Sequence, residues 1–242
     1  MISPPANDGL VPASMPLTGH LAELRNRLIW SILAIGVGSS IGFAFGDQII
    51  KILQAPIPPD VPLIVTRIGS AFAIRLQVAL VTGVILAMPV ILWHVWRFIA
   101  PGLTEAERRS VLPWIPAALG FFALGVTIAF IVLPFAATFL LSFLTPDIQP
   151  FLDIQEYFDF ATSLFLAFGI LMEFPILLVG LSRVNIVTSA RLRNSRRIVV
   201  LAIAVFAAVV TPGGDLISPA VLGVTLYVLY EGTIVFIRRT GR

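Results

Sequence analysis

Leu164-Phe-Leu-Ala-Phe-Gly-Ile-Leu-Met-Glu-Phe-Pro-Ile-Leu-Leu-Val179 holds one carboxylate, Glu173, with apolar residues for more than a helical turn on either side. The stretch reads as membrane-spanning. An ionisable group in hydrocarbon is costly unless it is protonated, paired or turned toward a wet or protein-lined surface, so Glu173 is a functional candidate by default. Pro175, two residues on, removes a helical hydrogen bond close to it.

The rest of the chain agrees with this solvent assignment. Hydrophobic residues make up 58% of the chain and charged residues 12%, with a mean hydropathy of +0.99. Too few polar residues exist to cover that apolar surface in water, which makes this a polytopic membrane protein. The absence of cysteine excludes a disulfide framework, a thiol nucleophile and Cys-based metal sites.

Six apolar runs predict an all-α fold of six transmembrane helices: Leu28–Gly46, Leu76–Trp96, Val111–Pro134, Phe158–Leu181, Ile198–Val210 and Leu216–Ile237. With the N-terminus in the cytoplasm, 13 arginines fall on the inner side and only Lys51, Arg67 and Arg75 on the outer. That bias predicts both termini inside. The basic pI of 9.9 then reports topology, and no nucleic-acid module is present in the pattern. Residues 1–16, with four prolines and a glycine, predict a disordered cytoplasmic lead rather than a signal sequence. Residues 17–237 form one membrane domain without internal repeats, followed by a basic tail, 238–242. Four prolines between Pro56 and Pro62 predict a stiff, extended loop able to brace the outer face.

The fifth run supplies 13 residues before the turn Thr211-Pro-Gly-Gly-Asp215, about 20 Å of helix against a hydrocarbon core of about 30 Å. The sixth run meets Glu231 before its end, so the fifth and sixth helices are both expected to be short, with local bilayer thinning around them. The alternative is that Arg191–Arg197 continues the fifth helix and snorkels.

Enzyme signatures are missing: there is no H-E-x-x-H, G-x-S-x-G, P-loop or dinucleotide fingerprint. His20 and His94 lie on separate segments with no paired carboxylates to complete a metal site. No cofactor, metal or catalytic residue is expected. What remains are charged groups near the membrane surface, suited to binding. In His20-Leu-Ala-Glu-Leu-Arg-Asn-Arg-Leu28, Leu17, Leu21, Leu24 and Leu28 form one stripe, and Glu23 on another face can pair with Arg27 one turn later. In Trp93-His-Val-Trp-Arg-Phe-Ile-Ala-Pro-Gly-Leu-Thr-Glu-Ala-Glu-Arg-Arg109, Thr104 and Glu107 match a capping box. Trp93, Trp96 and Phe98 can serve as an interfacial belt. Read alone, each stretch is explained by structure.

HLAELRNRL, WRFIAPGLTEAERR, FGILMEFP, TPGGD and LYVLYE, in this order, resemble the TatC family, the multi-span receptor subunit of the twin-arginine protein translocase. The resemblance covers roughly residues 17–237. It implies a concave, glove-like bundle in the cytoplasmic membrane, recognition of twin-arginine signal peptides, and export of folded proteins with TatA- and TatB-type single-span subunits, using the proton-motive force. The expected partners are those peptides, those subunits, membrane lipid and further copies of the chain. Carried over by position, Glu23 and Glu107 correspond to the acids that hold the signal's arginine pair. Arg25, Phe98 and Pro101 correspond to positions that shape or orient that site. Glu173, with Pro175, is expected to dock a partner helix inside the membrane, and Asp215 and Glu231 are further matched polar positions. Asp215 matches only if one of Gly213 and Gly214 is an insertion. Ser70, Met172 and Pro219 depart from the family pattern, and Ser70 and Pro219 receive no role. Two rival classes predict different behaviour: a proton-coupled small-solute transporter working through Glu173, and an assembly scaffold that tolerates loss of Glu23 and Glu107.

Overall fold

The structure, a computed structural model, describes residues 17–59, 61–105, 108–109, 112–143, 152–183, 186–210 and 216–239. The proposed lead 1–16, Glu107, Gly213, Gly214 and Asp215 lie outside them. Nine α-helices are found among the described residues as elements with defined ends: α1 (Leu17–Ala44), α2 (Gly46–Gln54), α3 (Ser70–Ile99), α4 (Trp114–Leu141), α5 (Ile154–Leu171), α6 (Phe174–Arg183), α7 (Ser189–Asn194), α8 (Arg196–Val210) and α9 (Ile217–Arg239).

Five helical stretches are long and apolar enough to cross a membrane: Gly19–Ala44, Ser70–Gly102, Trp114–Leu141, Ile154–Arg183 and Ile217–Arg239. The sixth apolar segment, α8, has 15 residues, about 22 Å at 1.5 Å per residue. The expectation of a short fifth helix therefore holds. The snorkelling alternative does not describe the backbone, because the arginine stretch breaks at Ser195 between α7 and α8. The sixth helix is not short: α9 has 23 residues and continues past Glu231 through Arg238 and Arg239. A carboxylate ends neither a helix nor a span when it has a partner, and Glu231 has one in Arg196. The first helix also begins earlier than its apolar run, at Leu17 rather than Leu28, since the leucine stripe before Arg25 has helical spacing of its own.

The fourth run is two helices rather than one. Pro175 has no N–H to give Leu171, and its ring crowds that carbonyl. The chain responds at Met172 and Glu173, where α5 stops and α6 starts, and the Glu173 amide tightens onto Ile170 (3.1 Å) instead of bonding four residues back. Glu173 is thus placed at a break in the middle of a span.

Helix α5 is the centre of the core. Phe158, Ala161, Leu164, Phe168 and Met172 are fully buried along it, packed with Val132, Leu133 and Ala136 of α4 and Leu222 and Leu226 of α9. Contacts between spans are made close by small residues, as packing in lipid requires. A Cβ on Gly38 of α1 would lie 2.8 Å from the Gly83 carbonyl oxygen of α3. One on Gly125 of α4 would lie 2.8 Å from the Phe168 carbonyl carbon and 2.7 Å from the Met172 Cγ.

At the end opposite most arginines, the described residues of the proline-rich loop are non-helical. Its continuation Leu63–Ile64 (β1) pairs in parallel with Leu152–Asp153 (β2), in the register Leu63 to Leu152 and Ile64 to Asp153. Asp153 then caps α5, accepting from the Gln155 amide at 2.8 Å, and takes a second bond from the Thr66 hydroxyl. The Thr66 bond first, then the Gln155 amide, holds the Asp153 carboxyl below its ordinary range. Further ties are Tyr157 Oη to the Leu53 carbonyl (2.5 Å) and Arg75 to Asp47 (3.4 Å). These ties close the rim at this end, while a groove opens at the arginine-rich end.

Candidate functional site at the arginine-rich end

The foot of α1 packs against the last turns of α3. Helix α3 is ended by Pro101, which sits in a single 3-10 turn, Ala100–Gly102, before Leu103 adopts an extended backbone. The chain swings away there, and a helical bond from the Arg108 amide to the Thr104 carbonyl (2.8 Å) starts the next turn. A groove of about 750 Å³ opens between these pieces. Its walls are Glu23 and Arg27 from α1, Trp93, Trp96 and Arg97 from α3, Ala100 and Pro101 from the 3-10 turn, and Glu105, Arg108, Arg109 and Leu112 beyond it.

The groove gathers some of the predicted residues and separates others. Glu23 and Pro101 line it. Phe98 does not; it stacks on His20 with ring centroids 4.3 Å apart and planes 20° from parallel, locking the foot of α1 to the end of α3. Arg25 is exposed and is not among the lining residues. The expected pair of Glu23 with Arg27 is formed, with Arg27 Nε 3.1 Å from Oε1, while Oε2 is buried and has no hydrogen-bond partner among the described residues. Of the two tryptophans lining the groove, Trp96 is 7% exposed and Trp93 48% exposed.

Sequence reasoning overlooked the acid Glu105 and the cations Arg97, Arg108 and Arg109, all on the groove wall. Glu105 was hidden by its place in a helix's first turn, where an acid is expected for the dipole alone. Behind Glu23 lies a smaller cavity of about 260 Å³ touched by Trp30 and His94, and the buried His94 Nδ1 also has no partner among the described residues. Two histidines and scattered acids do not come together as a metal site: among the described residues no cluster of three ligating side chains occurs.

Glu173 lies elsewhere, ten residues before the end of α6, about 15 Å along the helix axis. It is half-buried, with Oε1 lacking a hydrogen-bond partner among the described residues, and Pro175 beside it is buried. Glu231 bonds Arg196 at 2.6 Å through Oε2. The fully buried Tyr230 donates to the Leu192 carbonyl at 2.7 Å. Together these contacts pin the short α8 and the α7 turn to α9.

The family model for the Sec-independent protein translocase protein (TatC) matches residues 19–224, nearly all of this architecture. The chain belongs to the TatC family. Among its relatives, the Sec-independent protein translocase protein TatC of Deinococcus radiodurans is 38% identical over 250 residues, covering 98% of this chain and 93% of the relative. That of Carboxydothermus hydrogenoformans is 36% identical, covering 91% of each. A crystal structure of the twin-arginine translocase receptor TatC superposes with a TM-score of 0.80 at 37% identity, covering 92% of this chain and all of that one. TatC membership makes the chain a multi-pass component of a protein translocase, a transport subunit rather than an enzyme.

Proposed function

We propose that this TatC-family chain is the receptor subunit that recognises twin-arginine signal peptides, with both termini cytoplasmic, in the cytoplasmic membrane. The observation that carries the reading is the groove at the arginine-rich end, where one Glu23 carboxylate oxygen has no partner among the described residues and lies beside an exposed tryptophan wall. A carboxylate matches the planar guanidinium fork and gains a bidentate, charge-assisted contact that the point charge of lysine cannot reproduce. Trp93 adds an aromatic face for a second guanidinium. Glu107, outside the described residues, supplies the other acid by its match to the family motif. Phe98, Pro101 and Arg25 hold the loop and orient the entering segment.

The same reading gives Glu173 a separate task. Its unpartnered oxygen at a helix break suits a polar side chain on a TatA- or TatB-type helix, since pairing offsets the burial of both groups. A complex of several copies of the chain with these subunits then exports folded cargo. The test is a photo-crosslinker placed at Trp93, facing the groove, and at Val228, on the exposed side of α9. A twin-arginine peptide is expected to label the first and spare the second, and Glu23→Gln is expected to reduce labelling. Equal labelling at both positions, indifferent to Glu23, would remove the groove from the account.

A further inference from the structure

The acid at the centre of the groove is already occupied by the chain itself. Glu23 and Arg27 stand one helical turn apart on α1, acid first, and both Nε and Nη2 of Arg27 converge on the single oxygen Oε1. A guanidinium and a carboxylate pair best when two parallel bonds use both oxygens. Here only one oxygen is used, and Oε2 stays buried and unpartnered among the described residues. The pair is well shielded, its side chains 15% and 21% exposed, and yet it borders both the groove and the smaller cavity behind it. Arg97 borders both as well, and Arg108 and Arg109 the groove, so any arriving cation meets a wall that repels it before it reaches Glu23.

We propose that Arg27 is a specificity-determining residue that acts as a resident competitor: it holds Glu23 in the empty receptor, and an arriving guanidinium must displace it or take the free oxygen beside it. The inference rests on the groove being the twin-arginine site. Displacement sharpens selection because the exchange is not symmetric. A guanidinium replacing Arg27 trades one fork for another of the same geometry, with Oε2 available to complete the second bond. An ammonium must surrender a stronger hydration shell and returns a single point contact for the fork that it displaces. The resident therefore raises the threshold for every cation, and a lysine pair fails to clear it. A plain helix-stabilising pair makes the opposite prediction, because its loss would loosen the foot of α1 and weaken binding.

The full-length protein in nanodiscs, titrated with fluorescent twin-arginine and twin-lysine signal peptides, decides between them. Arg27→Gln is expected to tighten twin-arginine binding about 1.5- to 2.5-fold, the strength of a helical ion pair, and to tighten twin-lysine binding more, so that discrimination falls. In a Glu23→Gln background the same substitution is expected to shift both peptides alike, as loss of any groove charge does, and to leave their ratio unchanged. Arg97→Gln, which removes a groove charge without freeing Glu23, is expected to shift both peptides alike and preserve their ratio. Arg27→Lys keeps the charge and the helix but loses the fork, and is expected to fall between wild type and Arg27→Gln; it provides the readout if the latter does not elute as a folded protein. Unchanged or weaker twin-arginine binding on losing Arg27, or a loss of discrimination that persists without Glu23, overturns the proposal while leaving the receptor reading intact. A wild-type protein with no preference for arginine over lysine overturns both.

Discussion

Replacing Gly125 by alanine adds one carbon at a close crossing of α4 and α5 in the core. That carbon would lie 2.8 Å from the Phe168 carbonyl carbon and 2.7 Å from the Met172 Cγ, whereas carbon atoms rest at about 3.5–4.0 Å. Met172 can turn aside, but Phe168 offers backbone, so α4 must retreat from α5 by several tenths of an ångström or more. A gap of that size forfeits a quarter to a half of each contact's attraction, and overpacking of this kind costs about 1–3 kcal/mol. At about 2–4 °C per kcal/mol for a chain of this size, Gly125→Ala is expected to lower the melting temperature in detergent by roughly 2–12 °C. Gly120→Ala is the control on the same helix. A Cβ there meets nothing within 4 Å, so it should match or exceed wild type through the better helix propensity of alanine. If Gly125→Ala melts at or above Gly120→Ala, α4 does not pack on α5 as described, and the break that places Glu173 loses its support.

Other consequences concern the two ends and the membrane. Because the Thr66 hydroxyl and the Gln155 amide lower the Asp153 pKa, the stability Asp153 adds is full above its unfolded value near 3.8 and is lost as pH falls through the lower native value. Thr66→Val should move that loss toward higher pH, seen as an earlier acid decline in melting temperature; an unshifted profile would deny the Thr66 contact. Spin labels along Ile198–Val210 should report a shallow profile at every position, since α8 reaches only about 22 Å; a label at full bilayer-centre depth would contradict thinning. Glu173→Ala should abolish recruitment of single-span partners in pull-down while leaving signal-peptide binding within about twofold, because loss of a polar docking pair acts at its own interface. Loss of peptide binding with recruitment intact would reverse that division of roles.

The membrane fold was legible because bilayer thickness imposes a length on every apolar run. Where runs and helices disagree, local chemistry decided: Pro175 split the fourth span, the Arg196 pair carried α9 past Glu231, and the Leu21–Leu24–Leu28 stripe extended α1 beyond the membrane segment. Hydropathy does not register any of these. The candidate site was legible only in part. Glu23, Phe98 and Pro101 stand in motifs long enough to match a family, and the Glu23–Arg27 pair follows from helical spacing. The groove itself joins α1 to a segment some seventy residues later, so Glu105 and Arg97 could be named only once the fold brought them beside Glu23. His94 shows the same limit: sequence weighed it only as a metal ligand, whereas in space its buried Nδ1 has no partner among the described residues.

The central claim is that this groove selects guanidinium pairs. Its most direct measurement is site-specific crosslinking of a labelled twin-arginine signal peptide from Trp93, competed by the unlabelled peptide and by its twin-lysine counterpart of equal charge. The account predicts that the arginine peptide competes at concentrations at least about tenfold lower, the worth of one charge-assisted bond, and that Glu23→Gln narrows this gap. Equal competition by the two peptides would contradict it, because charge alone would then explain whatever binds.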